Sequence, residues 1–142
     1  RMIEATTDVS DHAACAAAVA ACVERFGKVD ALIHMAAVHS THTWREIDAA
    51  HMNQVLQINV TGAFNMSQAA ALAMEKTGGG AICLAMSGSI AVSGHHAGAK
   101  TLAGRMGEAS EIASVALFLI SDAAGYVQGE IVNVNGGGSL GL

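Results

Sequence analysis

The chain has 142 residues, enough for one ordinary domain and too few for two. It is 52% hydrophobic and 13% charged with a net charge of -5, which excludes a disordered chain and, with seven Lys plus Arg, argues against a nucleic-acid partner. Proline is wholly missing, although average usage is about 5%; loops that normally carry it are therefore expected to be missing. No run of 18 apolar residues occurs, so neither a membrane span nor a membrane partner is expected. No basic segment leads into an apolar run, so no cleavable signal is expected. Cys15, Cys22 and Cys83 are odd in number and form no CxxC pair, which fits free thiols and a cytoplasmic setting.

Ile3 to Thr7 reads as the tail of a strand. Ser10 and Asp11 offer helix-start chemistry, and Cys15, Val19, Cys22, Val23 and Phe26 follow at helical spacing before Gly27 supplies a stop. Cys15 and Cys22 share one face of that helix and read as small core residues. Val29 to Met35 is a continuous apolar run of strand length, the pattern of a parallel strand covered on both faces. A His-rich loop, Val38 to Thr43, leads to a helix expected from about Trp44. A second helix is expected to place Val60, Ala63, Phe64, Ser67, Ala71 and Met74 on one face and to end at Gly78 to Gly80. Ala81 to Met86 reads as another strand. Glu108 to Ile120 reads as a helix burying Ile112, Val115, Ala116 and Leu119, with Glu108 and Glu111 in the first turn, where the helix dipole favours acids. Ile131 to Val134 reads as a last strand, broken by Gly136 to Gly138. Alternating strands and helices imply an α/β fold with a parallel sheet. Ser87 to Gly107 carries neither pattern, which is long for a loop in a compact domain.

The order of motifs resembles the short-chain dehydrogenase/reductase family. FGKVDALIHMAAV (Phe26 to Val38) is similar to the family's FGxxDxLVNNAG. INVTGAFNMSQAA (Ile58 to Ala70) is similar to its NVxGxF helix. GGGAICLAMSGSIA (Gly78 to Ala91) resembles its fifth strand and serine turn, and Gly104 to Gly137 its C-terminal signature. The resemblance implies a Rossmann-like doubly wound parallel sheet, here incomplete, that binds NAD or NADP. It implies an oxidoreductase that interconverts an alcohol and a carbonyl by hydride transfer, as a homodimer or homotetramer. The sequence contains no TGxxxGxG turn and no YxxxK motif. Residues 1–142 therefore read as one Rossmann-like domain, the ordered parts of a longer chain with a break near 99–104. The alternative is a catalytically inactive, truncated subunit with an assembly role.

By the same resemblance Ser89 is the catalytic serine, with Ser87 as runner-up; a strand-ending turn serine is the plain alternative. Asn59 matches the asparagine that links the catalytic lysine to solvent, against a purely local role in helix distortion or side-chain bonding. Asp8 and Val9 fall near the adenine, although Asp8 could equally cap a helix. Ala36 and Ala37 occupy a turn where small side chains let the backbone approach the cofactor. His34 and Met35 stand where the family pattern has two asparagines. Lys100 has no tyrosine four residues earlier, and Tyr126 lies in the C-terminal signature, so neither takes a catalytic role. No metal site is expected, because no Cys or carboxylate spacing completes a set with the histidines. Neither Ser87 nor Ser89 sits in GxSxG, which argues against a serine hydrolase, and the glycine runs lack the Lys-Ser/Thr of a P-loop.

Overall fold

Asp11 starts the first helix. Its carboxylate accepts from the amides of Ala13 at 2.8 Å and Ala14 at 3.2 Å, satisfying two donors that the first turn leaves open. Helix α1 (His12–Phe26) ends at Gly27, whose φ of 89° is open to glycine at little cost. The computed structural model describes residues 2–40, 42–87 and 101–138. These form two compact units, Arg1–Ala85 and Met86–Leu142.

In the first unit, strands β1 (Ala31–His34) and β2 (Ala81–Leu84) pair in parallel, with Ala31 opposite Ala81 and His34 opposite Leu84. Between them the chain is helical: α2 (Ala49–Leu56), a π-helical turn (Gln57–Thr61) and α3 (Gly62–Glu75). Helix α3 packs on α1 and on both strands. Val19, Val29, Ala70 and Met74 form the core, joined by Cys22, Val23, Leu32, Met66, Ala69 and Ala73. Cys15 is fully buried and Cys22 half-buried, so the cysteine face points inward as the spacing predicts. Gly80 closes the return to β2, because a Cβ there would lie 2.6 Å from Met74 Sδ and 2.8 Å from the Asp30 carbonyl oxygen.

Several expectations need correction. Residues 3–7 are not a strand: a strand exists through its ladder, and the described sheet has only β1 and β2. β1 is shorter than Val29 to Met35 and is not covered on both faces, since Ile33 is 37% exposed while His34 is 7% exposed. Trp44 starts no helix. Thr43 and Glu46 imitate a capping pair, with the Thr43 amide and hydroxyl both donating to Glu46 Oε2, but only a turn forms. The helix starts at Ala49, capped by Asp48, which accepts from the His51 amide. The buried face of the long helix is also displaced. It carries Gly62, Asn65, Ala70 and Met74, whereas Val60, Phe64 and Ala71 are exposed.

In the second unit, α4 (Ala109–Leu119) follows its predicted span closely, and Ile112, Val115, Ala116 and Leu119 lie on its more buried side. Glu111 Oε2 accepts from the Glu108 amide at 2.8 Å, while Arg105 grips both carboxylate oxygens at 2.7 Å. A short 3₁₀ turn, Asp122–Ala124, follows. Ile131 to Val134 is not a strand, and Ile131 is 78% exposed; it has no ladder partner among the described residues. No helix among the described residues is long and apolar enough to cross a membrane.

Candidate functional site

Asp8 and Val9 lie in the turn before α1. The Asp8 carboxylate accepts from the Ser10 hydroxyl at 2.7 Å and the Ser10 amide at 2.9 Å. Those bonds hold its pKa below the usual carboxylate range, so the exposed group is an anion near neutrality. Asp11, not Asp8, caps the helix. Val9 is held from three sides. Asn65 Nδ2 donates to its carbonyl oxygen at 3.0 Å, Cys15 Sγ donates to the same oxygen at 3.4 Å, and Gly62 packs against its side chain. Burial pushes the Cys15 thiol up, with Asp11 and Asp8 adding to the effect, which keeps it a neutral donor.

Ala36 and Ala37 follow β1 at its carboxyl end and are exposed. One residue on, the Val38 amide donates to Asn59 Oδ1 and Asn59 Nδ2 donates to the Val38 carbonyl, both at 2.8 Å. Asn59 lies inside the π turn, where the Gly62 amide reaches the Gln57 carbonyl. The helix is distorted at Asn59, yet its side chain reaches a partner 21 residues back rather than a local one. π turns inside α-helices occur often at functional sites. His34 is buried with no partner at Nε2, whereas Met35 is 57% exposed. The two residues in the asparagine positions thus point to different environments.

A shallow pocket beside this turn is lined by Val38, His39, Ser40, His42, His51, Gln54 and Val55. The His42 and His51 rings lie 4.1 Å apart, and His51 Nδ1 is 2.7 Å from Asp48 Oδ1. No group of three His, Cys, Asp or Glu among the described residues is arranged to hold a metal ion. Ser89 and Lys100 lie outside the described residues, and Ser87 and the exposed Tyr126 belong to the second unit. The structure therefore brings the Asp8–Val9 turn and the turn after Ala36–Ala37 against one helical run, the first through Gly62 and Asn65 and the second through Asn59.

Residues 1–100 match the short chain dehydrogenase family, and residues 93–139 match the enoyl-(acyl carrier protein) reductase family. The chain belongs to the short-chain dehydrogenase family. Among its relatives, a galactitol 2-dehydrogenase (L-tagatose-forming) of Cereibacter sphaeroides is 32% identical, covering 92% of this chain and 73% of the relative. A 3alpha-hydroxysteroid dehydrogenase of Mediterraneibacter gnavus is 29% identical, covering 80% of this chain and 66% of the relative. The chain thus spans about two thirds of that relative's length. The solved structure of a short-chain type dehydrogenase/reductase from Mycobacterium ulcerans superposes with a TM-score of 0.83 at 21% identity, covering 93% of this chain and 68% of that one. That likeness gives the fold, a Rossmann-like α/β architecture of which β1 and β2 are one parallel pair. The family's dinucleotide can be tested against these residues. An anionic carboxylate at Asp8 suits an N–H donor such as an adenine amino group, and the methyl side chains of Ala36 and Ala37 leave backbone accessible. Both features suit a dinucleotide. Gly62 is the glycine of the NVxGxF match, which assigns it no role, and Asn65 lies just beyond it; the signal for Asn65 is a polar residue on a helix face otherwise made of glycine, alanine and methionine.

Proposed function

We propose that this chain is part of an NAD(P)-dependent oxidoreductase that interconverts an alcohol and a ketone or aldehyde. The observation that carries the reading is the Asn59 clamp. A π-turn carboxamide makes two 2.8 Å bonds to the backbone just after Ala36–Ala37, fixing the turn on which a nicotinamide would rest. Asp8 and Val9 hold the adenine portion, Ala36 and Ala37 lie under the nicotinamide portion, and Ser89 supplies a hydroxyl that orients the substrate oxygen. When bound, the cofactor supplies or accepts hydride. No residue of this sequence is assigned the proton transfer. Family relatives named as sugar-alcohol and hydroxysteroid dehydrogenases support an alcohol substrate. The free thiols of Cys15, Cys22 and Cys83 support a reducing, cytoplasmic setting. A second copy of the chain is the proposed partner, forming a homodimer or homotetramer through the exposed face of the long helix.

A second reading has its own support. The alignment with the galactitol dehydrogenase runs over 186 positions but uses 92% of a 142-residue chain, so many of its positions face no residue here. This supports a segment missing from within the chain, which we place near residues 99–104, and it equally suits a truncated subunit that only assembles. Titration with NADH and with NADPH, followed by nicotinamide fluorescence, separates the two. A saturable enhancement with either supports the oxidoreductase; a flat response to both favours the assembly subunit. If the enzyme reading holds, Ser89→Ala lowers turnover strongly at unchanged melting temperature, and near-normal turnover removes Ser89 from the site.

A further inference from the structure

The helix that carries the half-buried Asn59 carries a second, buried asparagine, Asn65, and the two make the same kind of contact with different loops. Asn59 bonds both backbone groups of Val38. Asn65 is 4% exposed, and its Nδ2 donates to two successive carbonyls, Val9 at 3.0 Å and Ser10 at 3.4 Å. Six residues separate them, about 9 Å along a helix at 1.5 Å per residue. Within that span Gly62 removes the Cβ that would otherwise lie 2.6 Å from Val9 Cγ2. His12 adds a bond to Gln68 at 2.9 Å, one turn beyond Asn65. The long helix therefore grips the turn before α1 through Asn65 and Gly62, and the turn after β1 through Asn59.

A buried carboxamide on a helix face of alanines and methionines costs desolvation unless it is bonded. Asn65 satisfies that need by holding the backbone that carries Asp8 and Val9. We propose that Asn65 is a positioning residue for the cofactor: it sets the Asp8–Val9 turn against the adenine portion, independently of the Asn59 clamp on the nicotinamide side. This rests on the dinucleotide reading above and adds to it a division of labour along one helix. Asn65 touches neither cofactor nor substrate; it acts through Val9 and Ser10.

The test uses two half-ligands, ADP and nicotinamide mononucleotide, titrated calorimetrically into the wild-type chain and into Asn65→Ala, Gly62→Ala and Asn59→Ala. For Asn65→Ala, loss of the donor to both carbonyls is expected to weaken ADP about tenfold, the scale of one lost buried hydrogen bond, and to leave the mononucleotide unchanged. Gly62→Ala keeps the carboxamide but displaces Val9, and it is expected to show the same split even if Asn65→Ala melts too low to assay. Asn59→Ala is expected to show the reverse split. Wild-type chain that binds neither half-ligand overturns the dinucleotide reading itself. Wild-type chain that binds ADP, with folded variants that bind it equally well, overturns the positioning role alone. A lowered melting temperature with unchanged ADP affinity also overturns it, because that is the signature of a merely structural asparagine.

Discussion

At the scale of single residues, opposing effects at Gly62 can be weighed. Alanine in a helix is favoured over glycine by about 1 kcal/mol. Against that, the new Cβ would stand 2.6 Å from Val9 Cγ2 and 3.0 Å from Val9 Cβ, and overpacking of this kind costs about 1–3 kcal/mol. Val9 cannot swing away freely, because its carbonyl is tied to Asn65 and Cys15. The clash wins, so Gly62→Ala is expected to lower stability by about 1 kcal/mol in urea unfolding, against the trend for helical glycines. A rise in the urea midpoint would show that Val9 yields at no cost. Met74 gives the scale for comparison. It is 4% exposed at the centre of the α1–α3 core, and Met74→Ala is expected to cost about 2–5 kcal/mol in the same measurement.

At the scale of elements, what is local in the sequence proved readable and what depends on neighbours did not. Asp11 and Gly27 bound α1 through their own side chain and φ angle, so the helix ends follow from residue chemistry. The same holds for Glu108 and Glu111 at α4. Thr43 and Glu46 show the limit: the capping chemistry forms, but no helix follows it. The strand expectations at 3–7 and 131–134 fail because a ladder needs a second chain segment, which no local pattern reveals. At the candidate site, Asp8, Val9 and Asn59 were legible because motifs carry them, whereas the Asn65–Val9 bond joins residues 56 apart and left no trace in spacing. The terminus of α4 carries a prediction of its own. The Arg105 guanidinium, helped by the Glu108 amide, holds Glu111 well below its ordinary 4.5, at about 2. A carboxyl whose folded pKa is depressed lends its full stabilisation above the unfolded value, and that is lost as pH falls through the folded one. The α4 terminus should thus keep its cap at pH 5 and release it as pH falls from about 4.5 to about 2. An NMR titration of the Glu111 carboxyl reads this directly, and a midpoint near 4.5 would show that Arg105 does not hold it.

At the scale of the whole molecule, the low charge fraction meets an unusual helix surface. Leu56, Val60 and Phe64 recur every four residues on the long helix and are 47%, 61% and 60% exposed. The periodicity that assigned Val60 and Phe64 to an inner face detected a real apolar stripe, but the core is built on Gly62, Asn65, Ala70 and Met74 instead. Two faces of one helix are therefore apolar, and only one is covered among the described residues of the first unit. Contiguous exposed apolar surface of this kind marks an interaction site in soluble proteins, and a stripe along one helix is suited to pairing with its own copy about a twofold axis. Phe64→Asp places a charge at one end of that stripe without touching the α1–α3 core. Wild-type chain is expected to elute as a dimer or tetramer in size-exclusion chromatography, and the variant as a smaller species whose thermal unfolding, measured at low concentration where both are dissociated, is unchanged. Equal elution of the two would show that the stripe is not the interface. A matching loss of stability at low concentration would show instead that Phe64 supports the fold of the single chain, and the second apolar face would then need a cover from within it.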